Sequence, residues 1–246
     1  MKFICPKCGT KVEAIGDGTL CPTCRTTLIE VAPGYADWLM SPNEAIRRFE
    51  IVIAKHGLPQ VWSSRFKHER EAWITAVWAL GLREITGSEY WIEVETKDPP
   101  DCKVRYVDSS HGYNQRGTIN VEIVEWDPHR PDVMDVIIPK CANKYPRDFI
   151  LVVFVRNGKP IGANAVHQAV KSLAVPFKEI WVLGLVSVEG AKYHMFAAHP
   201  GSRKVDFDLL EVLQKNISQA EFAQFDKMRS KRTEMTDRGM IHLPIP

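Results

Sequence analysis

The sequence predicts an α/β protein in which helices flank a mixed central sheet. Three features of the chain indicate this class: two segments with helical spacing of apolar residues, six strand-like runs after them, and the run Phe149–Val155, which is apolar throughout. An entirely apolar strand is typical of the centre of a sheet that is covered on both faces. With 246 residues, of which 45% are hydrophobic, the chain can form one full-size core and a small appendage.

Two helices are expected before the sheet. Ser41 is a suitable N-cap, Pro42 fits the first helical position and Glu44 the third, and this helix should end near Gly57. A second helix is expected over residues 64–82. Its apolar side chains recur at helical spacing, and they are Phe66, Trp73, Val77 and Leu80.

The six strand-like runs are rich in β-branched or aromatic residues and are bounded by turn signals. They cover residues 90–95, 103–107, 118–126, 149–156, 180–188 and 193–197. Between the third and fourth runs, residues 133–145 include Pro139 and predict a short or broken helix. A further helix is expected within residues 162–174, and residues 207–227 predict one or two amphipathic helices.

Four N-terminal cysteines form two CxxC pairs with twelve residues between them, and they are Cys5, Cys8, Cys21 and Cys24. Each pair is a turn that presents two thiolates, and two such turns close a tetrahedron around one zinc ion. Because no coordination position stays open, this Zn²⁺ is expected to be structural. Its binding supplies folding free energy that so short a segment cannot gain by burial alone. The segment resembles a zinc ribbon.

Charge and motifs restrict the class of protein further. The 32 basic and 30 acidic residues nearly cancel, so net charge does not by itself indicate a nucleic-acid or membrane partner. The chain has neither the apolar core of a signal peptide nor a membrane-length apolar stretch, so we expect a cytoplasmic protein without membrane association. The sequence contains no GxxxxGK or GxGxxG motif, which argues against a nucleotide-driven enzyme.

Two carboxylates are the informative feature of the larger domain. Asp101 stands at the start of one predicted strand, and Glu122 lies inside the next, on the same face as Val124 and Trp126. Pairing of the two strands across a loop at residues 109–117 places Asp101 near the level of Trp126 and within a few residues of Glu122. Two converging carboxylates suit Mg²⁺, which can polarise a phosphodiester. A solvated face or a salt bridge is the alternative interpretation.

The order of these residues along the chain carries a resemblance. It runs through Glu69 and Glu71 in a helix, Pro100 and Asp101 before a strand, Val121, Glu122 and Ile123 in a strand, the segment 140–145, and the strand Phe149–Val155. This order resembles the restriction-endonuclease-like superfamily, also called the PD-(D/E)xK nucleases. The resemblance covers roughly residues 60–200.

The resemblance implies that Asp101 and Glu122 bind Mg²⁺ or Mn²⁺ and that Glu71 assists them, with Glu69 as the alternative. The superfamily places a lysine two residues after the strand glutamate, where this sequence has Val124. Some members recruit a lysine from the following helix instead.

In this chain, Lys140 or Lys144 would take the role of that lysine. The implied function is metal-dependent hydrolysis of phosphodiester bonds in nucleic acid, with DNA as the expected substrate and the zinc ribbon as a positioning device. The implied domains are the zinc ribbon at 1–31, a helical linker at 32–62, the restriction-endonuclease-like domain at 63–205, and a helical C-terminal extension and tail at 206–246.

Two other functions stay open at this stage. Because Val124 replaces the usual lysine, the larger domain is alternatively an inactive scaffold that binds nucleic acid or protein. The third hypothesis is that the protein is a structural or assembly component that docks through its amphipathic C-terminal segment. That segment is also where a homodimer or a protein partner is expected to bind.

Overall fold

The computed structural model describes residues 2–4, 11–13, 29–31, 39–95, 99–108, 115–156, 159–187, 191–201 and 203–215. Three short N-terminal strands are β1 (Lys2–Ile4), β2 (Lys11–Glu13) and β3 (Ile29–Val31), and they pair antiparallel in the order β2-β1-β3. The four cysteines assigned to zinc, Cys5, Cys8, Cys21 and Cys24, lie outside the described residues. The zinc ribbon therefore stays a prediction.

The larger sheet has eight strands. They are β4 (Leu39–Met40), β5 (Glu89–Val94), β6 (Cys102–Asp108), β7 (Gln115–Trp126), β8 (Phe149–Val155), β9 (Glu179–Ser187), β10 (Lys192–His199) and β11 (Lys204–Asp208). They lie side by side in chain order from β4 to β11. The pairs β7–β8 and β8–β9 are parallel and the others are antiparallel, so the predicted α/β class with a mixed sheet is confirmed.

Helices cover both faces of this sheet. One core, which we call the α2-side core, contains buried residues of α1 (Pro42–His56), α2 (Lys67–Thr86) and α5 (Leu209–Gln214). The α3-side core lies on the opposite face and contains residues of α3 (Met134–Ala142) and α4 (Ala163–Lys171). Strand β8 contributes alternate residues to the two cores, and all seven of its residues are buried. The expectation of a central strand covered on both faces is confirmed.

The first helix begins and ends where its capping residues predict. Ser41 Oγ accepts a hydrogen bond from the Glu44 backbone N–H at 3.2 Å, and Gly57 ends α1 with a φ of +82°. A side chain is disfavoured at that φ, so glycine suits the position. Although residues 32–62 were expected to form a linker, α1 packs in the α2-side core, where Phe49 stacks on Trp73 with a centroid distance of 4.8 Å.

The second helix begins and ends later in the chain than its apolar spacing predicts. Two 3₁₀ turns, Gln60–Trp62 and Ser64–Phe66, precede it, and it continues to Thr86 before Gly87 ends it. Every residue of α2 between Arg70 and Leu82 is buried. A helix that is covered on several sides carries no clear apolar stripe, which is why sequence spacing locates its ends poorly.

Two strands of the larger sheet were not predicted. Strand β4 has only two residues, which is too short for a periodic pattern. The last two residues of strand β11 fall in the segment that was predicted as helical. Asp208 both ends this strand and caps α5, since its side chain accepts a hydrogen bond from the Leu210 backbone N–H. Residues 216–227 of the predicted C-terminal helices lie outside the described residues. No helix in the part of the chain that the structure describes is long and apolar enough to cross a membrane.

Candidate active site

The pairing of β6 with β7 sets the position of the two predicted carboxylates. Cys102 lies opposite Val121, so Asp101, one residue earlier, lies beside Glu122. The expected level near Trp126 was therefore wrong. Residues 115–117 belong to β7 and not to the connecting loop, which moves the register toward Glu122. The correction brings the two carboxylates closer together than the sequence suggested.

Asp101 is held in place by the strand that carries Glu122. Only 5% of its surface is exposed, and its Oδ2 accepts a hydrogen bond from the Ile123 backbone N–H at 2.8 Å. One oxygen of Asp101 is therefore bound to the main chain immediately after Glu122. The other, Oδ1, faces the start of α2, where Lys67 lies at 3.4 Å.

Glu122 is the most deeply buried of the site carboxylates, with 2% of its surface exposed. Its Oε1 accepts from Lys140 Nζ at 2.5 Å and from the Tyr145 hydroxyl at 3.1 Å. Its Oε2 is buried and has no hydrogen-bond partner among the described residues. Burial and then the negative charge of Asp101 raise the pKa of Glu122, although Lys140 opposes them.

Glu71 is the carboxylate that α2 contributes. Lys67 lies one turn earlier on the same helix, and its Nζ is 3.2 Å from Glu71 Oε1. Burial and the nearby charge of Asp101 raise the pKa of Glu71 to about 8. Its Oε2 lies 3.5 Å from His68 Nδ1 and is a second buried carboxylate oxygen that forms no hydrogen bond within the described chain.

The structure distinguishes between the candidate lysines. Lys140, on α3, contacts Glu122 directly, whereas Lys144 lies beyond the end of α3 and is exposed. Burial alone would lower the pKa of Lys140, but the hydrogen bond and the charge of Glu122 raise it overall. The ammonium therefore stays protonated at neutral pH. Val124, two residues after Glu122, packs against the α3-side core.

The start of α2 is tied to β7 by a partly buried ion-pair network. Arg70 donates to the Val61 carbonyl at 2.8 Å, and its Nε pairs with Glu125 Oε1. Arg156 reaches the other oxygen of Glu125 at 3.0 Å and lies 3.8 Å over the ring of Trp62. Because Arg70 directly precedes Glu71, this network fixes the distance between the helix carboxylate and the strand that carries Glu122.

Three carboxylates, from α2, from the residue before β6 and from β7, thus lie close to two ammonium groups. Within the described ranges, no group of three or more histidine, cysteine, aspartate or glutamate side chains is arranged to hold a metal ion. A smaller donor set is enough for Mg²⁺, which is usually held by one or two carboxylates together with water and substrate phosphate. The orphaned Oε2 atoms of Glu71 and Glu122 fit such a cation, because a buried carboxylate oxygen requires a partner.

Sequence reasoning missed two residues of this site. Lys67 could have been found, because a lysine four residues before Glu71 lies on the same helix face. Tyr145 could not, because no local pattern indicates that its hydroxyl reaches Glu122.

Comparisons of the chain with protein-family models, with curated proteins and with solved structures found no match.

Proposed function

We propose that this protein is a metal-dependent nuclease that hydrolyses phosphodiester bonds of nucleic acid. The observation that carries the proposal is the contact between Lys140 and Glu122 beside Asp101. It supplies a lysine at the strand glutamate even though the usual lysine position holds Val124. The order α2, β5, β6, β7, α3, β8 supports a restriction-endonuclease-like fold for this part of the chain.

Asp101 and Glu122 would hold Mg²⁺ or Mn²⁺, with Glu71 assisting. Asp101 Oδ1 and the carboxylate oxygens of Glu71 and Glu122, including their buried Oε2 atoms, are the hard donors that such cations prefer. A bound cation of this kind polarises the phosphate and lowers the pKa of an attacking water.

In this proposal, Lys140 supplies positive charge and Tyr145 orients the Glu122 carboxylate. Lys140 places a permanent positive charge where negative charge develops on the phosphate in the transition state. Tyr145 donates to the same Glu122 oxygen as Lys140, so two donors hold Oε1, whereas Oε2 has no hydrogen-bond partner among the described residues. Hydrolysis joins the oxygen of water to phosphorus and breaks the bond to the leaving sugar oxygen, which takes up a proton.

The zinc ribbon is proposed to position the nucleic acid. Cys5, Cys8, Cys21 and Cys24 would saturate its zinc, which would then have no open position for chemistry. Metal analysis of the purified chain should find one zinc per chain, and the double substitution of Cys5 and Cys8 by serine should remove it. Retention of zinc in that variant would contradict the assignment.

A cleavage assay with matched variants tests the nuclease proposal. The purified chain is incubated with labelled single- and double-stranded DNA and RNA, with Mg²⁺, with Mn²⁺ and with chelator. Asp101→Asn and Glu122→Gln should each lower cleavage by about 100-fold or more, because each removes a charge at the reacting centre. Glu211→Gln changes an exposed carboxylate on α5 in the same way and should cleave like the wild type.

An inactive binding scaffold is the second candidate. The observation that favours it is that Lys67 and Lys140 already neutralise the carboxylates of the site, as they would in a purely structural network. Binding of nucleic acid without cleavage under every metal condition would support the scaffold and overturn the enzyme. Cleavage that depends on Asp101 would exclude it.

A further inference from the structure

Lys67 forms ion pairs with two carboxylates of the proposed metal site. Its Nζ lies 3.2 Å from Glu71 Oε1 and 3.4 Å from Asp101 Oδ1. The two acidic side chains are 6% and 4% exposed, whereas the lysine side chain is 45% exposed. A single ammonium at the solvent edge therefore joins the carboxylate of Glu71 on α2 to that of Asp101, which immediately precedes β6.

The two lysines of the site differ in how they are held. Lys140 has a side chain that is 26% exposed, and it shares Glu122 Oε1 with the Tyr145 hydroxyl. Lys67 has a flexible, half-exposed stem that can carry its ammonium into solvent with little loss of packing. Of these two lysines, Lys67 is the one whose ammonium lies beside both Glu71 and Asp101, where the charge of a divalent cation is needed.

We propose that Lys67 is a built-in counter-ion of the metal site. Its single positive charge offsets the negative charge shared by Glu71 and Asp101 while no divalent cation is bound, and it moves toward solvent when one binds. The inference rests on the proposed function, because it assumes that Asp101 belongs to a metal site. Its consequence is competition, since the protein must give up two ion pairs before the cation can use the same oxygens.

The expected effect on affinity is moderate. Partly exposed ion pairs are weak, so removing the ammonium should lower the dissociation constant for the cation by about fivefold. The same removal leaves Glu71 and Asp101 facing each other without a counter-charge in the metal-free protein. The metal-free form should then unfold at a lower temperature, and the gain in unfolding temperature on adding Mg²⁺ should be larger than in the wild type.

The test measures metal binding to the full-length chain without any substrate. Binding of Mn²⁺ is followed by the electron paramagnetic resonance of the free ion, and binding of Mg²⁺ by calorimetry. Lys67→Met and Lys67→Gln should both bind more tightly, whereas Lys67→Arg should bind like the wild type because it keeps the charge. Lys171→Met removes the same charge from α4, on the opposite face of the sheet, and controls for net charge.

The outcomes distinguish a failure of the counter-ion role from a failure of the proposed metal site. If Asp101→Asn abolishes binding but Lys67→Met binds no more tightly than Lys171→Met, the counter-ion role is overturned and the proposed site stands. If the wild type shows no binding that depends on Asp101, the proposed site and the counter-ion role are both overturned. Tighter binding in Lys67→Met and Lys67→Gln, together with a larger Mg²⁺-dependent gain in unfolding temperature, supports the counter-ion role.

Discussion

The ammonium of Lys140 on α3 lies 2.5 Å from Oε1 of Glu122 on β7. Val124 follows Glu122 by two residues on the same face of the strand, but it packs into the α3-side core and brings no charge to the site. The helix after the strand therefore supplies the positive charge that the strand lacks. This arrangement makes the position of the lysine testable.

Substitution of Lys140 should affect cleavage far more than substitution of Lys144. Lys140→Ala removes the positive charge that lies beside the Glu122 carboxylate. It should lower the cleavage rate by about 100-fold or more. Lys144→Ala changes an exposed side chain beyond α3 and should cleave like the wild type. Rates are measured under single turnover with the expected DNA substrate. Equal losses in the two variants would contradict the assignment of Lys140.

Returning a lysine to the strand should recover part of the lost activity. In the Lys140→Ala background, Val124→Lys places an ammonium two residues after Glu122, on the same strand face. Since Val124 is only partly buried, the longer side chain has a route toward solvent. We expect a measurable rise in rate over Lys140→Ala alone. A double variant no faster than Lys140→Ala would show that the strand position cannot serve this site.

Removal of the Tyr145 hydroxyl should reduce activity with little effect on stability. Tyr145→Phe keeps the ring, which packs at a centroid distance of 4.7 Å from Phe177, but loses the bond to Glu122 Oε1. A hydrogen bond to a charged group contributes about 1.5 kcal/mol, which corresponds to roughly tenfold in rate. Cleavage rates and thermal unfolding are measured on the same preparation. A large fall in unfolding temperature would instead assign Tyr145 a structural role.

The metal-free protein should lose stability as the pH rises from about 5 to about 8. The pKa of Glu71 is about 8 in the folded chain, against an ordinary value of 4.5, because burial and Asp101 disfavour its charged form. A carboxyl group whose pKa is raised by folding stabilises the folded protein fully at a pH below its unfolded-state pKa. This stabilisation is lost as the pH rises through the folded-state pKa. Lys67 lies beside the same carboxylate and opposes the rise only in part.

Thermal unfolding in chelator across this pH range measures the effect. Glu71→Gln should flatten the decline without abolishing it, because the raised pKa of Glu122 acts in the same direction. Glu84→Gln changes an exposed glutamate of the same helix and should leave the decline unchanged. A wild-type protein whose stability in chelator rises over this range would contradict the raised pKa of Glu71.

Much of the fold follows from local chemistry that the sequence displays. Ser41 and Gly57 delimit α1 because a side-chain cap and a left-handed glycine are local features. The all-apolar run of β8 identified a strand buried on both faces. The order of residues along the chain likewise predicts the candidate acids Glu71, Asp101 and Glu122 and the candidate lysines Lys140 and Lys144.

The rest depends on tertiary contacts that no local pattern reports. The register of β6 on β7 is set by where the hairpin loop ends, and including residues 115–117 in the loop moved Asp101 away from its partner. The reach of Tyr145 to Glu122 depends on the path of the chain after α3. The choice of Lys140 over Lys144 depends in the same way on which side chain the end of that helix directs at the strand.

Loss of Glu125 should destabilise the protein strongly. Its two oxygens pair with Arg70 and Arg156, whose side chains are only 10% and 24% exposed. Glu125→Ala leaves both guanidinium groups without this partner and should lower the free energy of unfolding by about 3 kcal/mol. Glu211→Ala breaks an exposed pair with Lys215 and should cost less than about 1 kcal/mol. Urea unfolding compares the two, and equal effects would contradict a supporting role for the network.

Gly81 should not tolerate even one added methyl group. It lies in α2, and a Cβ built on it would be 2.5 Å from Phe207 Cε1 and 2.6 Å from Met195 Sδ, whereas real Cβ contacts stay beyond 3.0 Å. Phe207 cannot retreat freely because it stacks on Tyr193. Overpacking of this kind lowers the free energy of unfolding by about 1–3 kcal/mol. The better helix propensity of alanine offsets at most about 1 kcal/mol of this loss. Gly81→Ala should therefore unfold at a lower urea concentration than the wild type.

The control and the compensating change make this steric account specific. Gly201→Ala adds the same methyl group where nothing lies within 4 Å, and it should leave the urea midpoint nearly unchanged. Phe207→Leu shortens the side chain that Gly81→Ala meets. The double variant should then be more stable than the sum of the two single losses predicts, because the two positions are in contact. Strict additivity would mean that Phe207 is not what excludes a side chain at Gly81, and that the close packing of α2 on β11 does not explain this glycine.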